Sequence, residues 1–185
     1  MKKVFSVMMA LLMALTINAA QRGKFIHVDY STSKNLKPQL AFVQERKNGE
    51  DVTMLLVKTV NVNGYNEFTD ASRVLLRFAD GKTARLPRTA GVAVQKDKHS
   101  EKKGNATISY YNTVTTYDVS PEVIEALQNS NAVIKVRIVF KENESKDYDI
   151  AEGYQERMTA DLLKSYQEAE LNNRKANSDL GDEDF

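Results

Sequence analysis

The sequence predicts a mainly β domain: an antiparallel β-sandwich or barrel-like fold with one short internal helix and a long C-terminal helix. Three observations predict it. Between residues 24 and 150, short runs of alternating apolar and polar side chains recur, which is the period of half-buried strands. Turn residues separate these runs about every 8–12 positions, the spacing of an antiparallel sandwich or barrel. After residue 151 the period changes to that of a helix. Strands and helices do not alternate along the chain, which argues against a doubly wound parallel sheet.

The first strand candidate is Lys24-Phe-Ile-His-Val-Asp-Tyr30, with Phe25, His27 and Asp29 on one face and Ile26, Val28 and Tyr30 on the other. A polar stretch from Ser31 to Lys37 ends at Pro38 and reads as a loop. Gln39 to Glu45 is the second strand, and Arg46-Lys-Asn-Gly49 is a turn signal. Asp51 to Val62 is the central core strand, because Met54 and Leu56 alternate with Leu55 and Val57 and make both faces apolar. Asn63-Gly64 marks the next turn. Val74, Leu76 and Phe78 alternate with Arg73, Leu75 and Arg77, then Asp80-Gly81 turns the chain into Lys82 to Leu86. Asp-Gly between two such runs is a strong hairpin signal, since both residues tolerate positive φ.

Gly91 to Gln95 is a further strand candidate. Lys96 to Asn105 is almost wholly polar and reads as a mobile hairpin tip ending near Gly104. Ala106 to Val119 is rich in Thr, Tyr and Val and reads as a long strand. Ser120-Pro121-Glu122 supplies a cap, a helix-start proline and an acidic first turn, so a helix is expected over Pro121 to Gln128. Ala132 to Phe140 is a strand with Ile134, Val136, Ile138 and Phe140 inward, and Asp147 to Ile150 is an edge strand. Tyr154, Met158, Leu162 and Tyr166, joined by Leu163 and Ala169, form one stripe on a helix over 154–176 that is expected to lie on the sheet.

Ahead of this domain stands a targeting segment. Lys2 and Lys3 precede an apolar run from Val4 to Leu15, and Ala19-Ala20 precede Gln21. A charged start, a run of about a dozen apolar residues and small residues at the cut are the layout of a secretory signal peptide. Spanning a bilayer takes roughly 20 apolar residues. The expected organisation is therefore a signal peptide over 1–20, a β-rich domain over 21–153, the helix over 154–176 and a disordered acidic tail over 177–185. The expected location is secreted or periplasmic. The chain has no cysteine. No disulfide staples the exported domain, lipid attachment through cysteine is excluded, and so are thiol nucleophiles and cysteine metal sites.

Without Lys2 and Lys3 the chain carries 24 basic and 25 acidic residues, a net charge of −1. A dedicated nucleic-acid binder carries a marked basic excess, so nucleic acid is not an expected partner. The charge is unevenly spread. Arg73 to Lys103 holds nine basic residues against Asp80, Asp97 and Glu101, and Lys141 to Glu170 holds nine acidic residues against four basic ones. Either the halves compensate each other across one fold, or the basic stretch meets an anionic partner. The contact candidates in that stretch are Arg85, Arg88, Lys96, Lys98, Lys102 and Lys103.

Catalytic motifs are few. There is no Gly-rich phosphate loop, no His-Glu-x-x-His, no Gly-x-Ser-x-Gly and no EF-hand loop. His27 and Asp29 share a strand face and could bind a metal or act as a base and its orienter, though a hydrogen-bonded structural histidine explains them as well. Asp147 and Asp149 also share a face, where solvated edge charges are the simpler account. Tyr111 and Tyr117 share one strand face and Tyr110 takes the other; exposed, they would suit glycan or peptide binding, and otherwise they pack on the sheet.

Three stretches carry a resemblance: Val74-Leu-Leu-Arg-Phe-Ala-Asp-Gly81, Tyr117-Asp-Val-Ser-Pro-Glu122 with Leu127, and Ile134-Lys-Val-Arg-Ile138. With them the chain resembles small, uncharacterised secreted β-sandwich proteins of Gram-negative bacteria. The resemblance implies fold and export, and brings no activity or site residues with it. The expected function is an exported, non-enzymatic binding or adapter domain of the envelope, recognising a protein or an anionic surface glycan, with no cofactor. The alternatives are a metal-assisted hydrolase using His27 and Asp29, and a structural component self-associating through the C-terminal helix.

Overall fold

Among the described residues nine strands pair, always antiparallel, into two sheets. A computed structural model describes residues 22–28, 37–129 and 132–178. The expected signal peptide, Asp29, Tyr30 and residues 179–185 of the acidic tail lie outside the described residues. The strands are β1 (Ile26–His27), β2 (Gln39–Lys47), β3 (Glu50–Asn61), β4 (Arg73–Phe78), β5 (Thr83–Pro87), β6 (Gln95–Lys103), β7 (Ala106–Asp118), β8 (Val133–Lys141) and β9 (Glu144–Asp149). The helices are α1 (Pro121–Gln128) and α2 (Gln155–Ser178). One sheet has the order β1-β2-β3-β7-β6 and the other β5-β4-β8-β9, and neither closes into a barrel.

Local chemistry sets the turns. Between β2 and β3, Asn48 (φ 53°) and Gly49 (φ 86°) are both left-handed, and Lys47 pairs with Glu50. That is the two-residue type I′ loop, whose twist matches that of the strands it joins. The Asp80-Gly81 turn differs from the expectation. Only Gly81 has positive φ (86°), its N–H donates to the Phe78 carbonyl, and the Phe78 N–H donates to the Lys82 carbonyl. This is a three-residue loop, a tight turn followed by a left-handed glycine. Asp80 serves it by accepting the Lys82 N–H at 3.0 Å.

The core lies between the sheets. β2 and β3 contribute Leu40, Phe42, Leu55 and Val57; β4 and β8 contribute Val74, Leu76, Phe78, Val136 and Ile138; all are buried. The register shifts between Arg77 and Phe78, so Val133 packs fully into the core while Ile134 is half-buried. One extra residue in a ladder turns the following side chains to the other face, which is why the expected inward Ile134 gives way to its neighbour. β3 is buried on both faces: Met54 and Leu56 form a second cluster on the outer face with Ala41 and Val43, backed by Phe25 and Val114.

α1 forms where the Ser-Pro-Glu signal predicts and buries Val123, Ile124 and Leu127. The Ser120 side chain makes no cap bond to the backbone. Its hydroxyl instead lies beside Glu122 and holds that carboxyl below the usual range. α2 buries Met158, Thr159, Leu162, Ser165, Ala169 and Asn173. Tyr154, expected in the stripe, precedes the helix in a 3-10 turn and is 43% exposed.

α2 ties the first strand to the second. Ser165 Oγ accepts the Phe42 N–H (3.1 Å) and donates to the Lys24 carbonyl (2.9 Å), so the hydroxyl is interposed where a ladder bond would run. Glu168 accepts the Lys24 N–H at 2.8 Å, and Asn172 donates to the Arg22 carbonyl at 3.1 Å. Residues 165, 168 and 172 stand one and two turns apart on one helix face. Gly23 is required there, because a Cβ would lie 1.9 Å from the Ser165 carbonyl oxygen. Farther along, Thr159 accepts the Val133 N–H from the second sheet at 2.9 Å.

Candidate interaction surface on the β6 edge

The stretch expected to be a mobile tip is a regular strand. β6 pairs with β7 from Gln95↔Val114 to Lys103↔Ala106, and the turn is only Gly104-Asn105, with Gly104 at φ 62°. The strand assignment fails from sequence because all nine residues are polar and exposed. No apolar alternation is needed, since the strand is held by its ladder with β7. The expected strand at Gly91 is irregular up to Gln95.

β7 pairs with β3 only as far as Asn61↔Tyr111, while its pairing with β6 continues to Ala106. The β6–β7 hairpin therefore projects beyond the rest of its sheet as a two-stranded arm. β6 is the last strand of that sheet, so its outer edge pairs with no described strand.

Strand parity sorts the charges. Lys96, Lys98, Ser100 and Lys102 take one face, and Asp97, His99, Glu101 and Lys103 the other. On the first face Lys96 Nζ lies 5.4 Å from the Tyr65 ring centroid and Lys98 Nζ 5.2 Å from that of Tyr111. The two rings meet edge to face at 5.1 Å. On the second face His99 stacks on Tyr110 at 5.0 Å, and Lys103 lies 5.9 Å from the same ring. The Tyr110 hydroxyl beside Lys103 holds its ammonium above the usual lysine range. Asn112 donates to Asp97 at 3.3 Å and bonds His99 Nδ1 at 3.1 Å. Rings under ammonium groups fix the position of otherwise loose side chains.

The six contact candidates do not form one patch. The four lysines share β6. Arg85 lies on β5 in the other sheet, beside a 440 Å³ cleft between that strand and α1, with Lys82, Glu122 and Glu125. Arg88 has a structural place. Its side chain is 12% exposed, and it donates to Asp70 Oδ1 at 2.6 Å and to the Val92 carbonyl at 2.7 Å. Both contacts hold the crossing from β5 to β6, so Arg88 leaves the candidate surface.

The tyrosines pack and do not form an exposed row. Tyr117 is fully buried, and Tyr110 is 5% exposed. Burial pushes the Tyr117 phenol up, well beyond the usual tyrosine value. Asp147 is cross-strand from Arg137, whose NH2 donates to it at 2.7 Å, and Lys135 reaches both Asp147 and Asp149. The Arg137 guanidinium holds the Asp147 carboxyl below its ordinary range. Ion pairing along an edge strand accounts for these two carboxylates.

Of the pair His27 and Asp29, only His27 is described; Gln39 Nε2 lies 3.0 Å from its Nε2. Sequence reasoning did not anticipate that His27 and His99 would line one 170 Å³ depression on the outer sheet face, with Gln39, Lys58, Tyr110 and Asn112. Their separation by 72 positions gives no local signal. No group of three or more His, Cys, Asp or Glu placed to hold a metal occurs among the described residues, and no described helix is long and apolar enough to cross a membrane. Comparison with family models, curated proteins and solved structures returns no match to this chain.

Proposed function

We propose that the chain is an exported, non-enzymatic binding or adapter domain of the bacterial envelope, secreted or periplasmic, that recognises an anionic partner through β6. One observation carries the reading: four lysines stand on one unpaired edge strand, and three of them rest on tyrosine rings. Cations held in place on a projecting arm lose little side-chain freedom on binding, so a long-range attraction becomes a contact at modest entropic cost. The address rests on Lys2, Lys3 and the apolar run that follows them.

The test is retention of a partner from solubilised envelope at low salt, by the chain as cut before Gln21. Wild type is expected to retain a partner that the fourfold Lys→Gln variant at 96, 98, 102 and 103 loses, and that salt releases. Equal retention by both would remove β6 from the reading. All four side chains are exposed, so the variant should keep its fold.

A further inference from the structure

We infer that the occupant of the β6 edge is an acidic protein segment in extended form, added as a tenth strand, with carboxylates at alternate positions. The inference rests on the reading above and names its partner class. An unpaired edge offers a row of N–H and C=O groups to another strand. β6 offers nine residues, about 30 Å of edge at the usual rise per residue.

The charges decide what can pair there. A second copy is the first candidate. A two-fold pairing through one continuous sheet keeps every residue on its own face, so the register can shift only in steps that preserve parity. Centred on His99, it would oppose Lys96 to Lys102 and Asp97 to Glu101, like against like. Shifted either way to the next allowed register, it opposes Lys98 to Lys98 or to Lys102. Self-pairing therefore sets lysine against lysine in each of these registers, offset only in the one centred on Ser100, where Asp97 meets Lys103 on the other face.

An acidic strand meets no lysine-against-lysine pair. On β6 itself the face of Lys96, Lys98, Ser100 and Lys102 carries no carboxylate, the β7 residues beside the lysines are Thr113, Tyr111 and Thr107, and the nearby Glu67 carboxylate is paired with Lys141. The two carboxylates of β6, Asp97 and Glu101, take the opposite face. A partner strand with acidic side chains at every second position would set three of them against Lys96, Lys98 and Lys102 and one against Ser100, and its neutral face against Asp97, His99, Glu101 and Lys103. Cross-strand pairs of this kind stabilise individually by less than about 1 kcal/mol, so it is the backbone ladder that must supply most of the affinity. A polysaccharide supplies charge without the ladder.

Three probes separate these cases on the full chain: a nine-residue peptide alternating Glu and Thr, a peptide of the same composition with its Glu in one block, and heparin. Binding is read by titration at low salt, together with amide exchange along β6. The alternating peptide is expected to bind about tenfold more tightly than the blocked one and to slow exchange of alternate β6 amides. Lys98→Glu should cost about tenfold for that peptide and leave the far-ultraviolet spectrum unchanged. Equal binding of the two peptides with unprotected β6 amides would overturn strand addition and leave the anionic surface standing. Heparin binding without peptide binding would overturn it in favour of a glycan. Binding of none of the three would remove both the strand and the anionic surface.

Discussion

The two edges of the five-stranded sheet are finished in opposite ways. At the β1 edge, α2 lies against the ladder and inserts the Ser165 hydroxyl between Phe42 and Lys24, while Glu168 and Asn172 take the next backbone groups. At the β6 edge nothing in the described structure covers the backbone, and alternating charge stands in place of a cover. Both devices meet the same demand, because a bare edge is a template for unwanted pairing. They differ in what they leave possible. A helix seals its edge to every partner. Lysine set against lysine disfavours a second copy, and on the reading proposed above a strand of opposite sign meets no such pair.

Removing what holds the helix should break this contrast most severely. Leu162→Ala opens the fully buried centre of α2 and should cost about 2–5 kcal/mol in denaturant unfolding, with the β1 edge losing amide protection first. Should the loss stay below about 0.5 kcal/mol, α2 would not be part of the core. A smaller and more local effect is expected from Ser165→Ala, which leaves the buried Phe42 N–H and the Lys24 carbonyl without their shared partner. It should cost about 1–3 kcal/mol and speed exchange at Phe42 while β6 amides keep their rates. At the other edge the threefold Lys→Thr change at 96, 98 and 102 should move stability least, within about 0.5 kcal/mol per site. Its effect should appear in sedimentation, as concentration-dependent self-association that wild type does not show. A variant that stays monomeric would mean that charge does not guard this edge.

The same comparison explains what could be read from the sequence. Strands with apolar alternation, the Asp-Gly hairpin and the Ser-Pro-Glu helix start all carry local signals, and the sandwich follows from them. Each edge hid its character for a different reason. On α2 the clamp residues Ser165, Glu168 and Asn172 are polar, and polar positions on a helix read as solvent-facing. Only their place in continuation of Met158 and Leu162, at helical spacing, could have revealed them. On β6 the strand is defined by its partner, since the hydrogen bonds to Tyr111 and its neighbours need no apolar residue at all. At Arg88, a basic residue in a basic stretch carries no mark of the Asp70 carboxylate and Val92 carbonyl that hold it.

The contact from Asn172 to Arg22 bridges 150 positions of chain. A ribosome delivers Arg22 first and Asn172 long afterwards, so the clamp on the opening segment closes only when the helix has been made. Until that moment residues 22–28 lie along β2 by backbone pairing alone, and a chaperone or a protease meets a sheet edge one clamp short of completion. The helix thus works as a late latch as well as a seal, because its bonds to Arg22 and Lys24 join the two ends of the described chain.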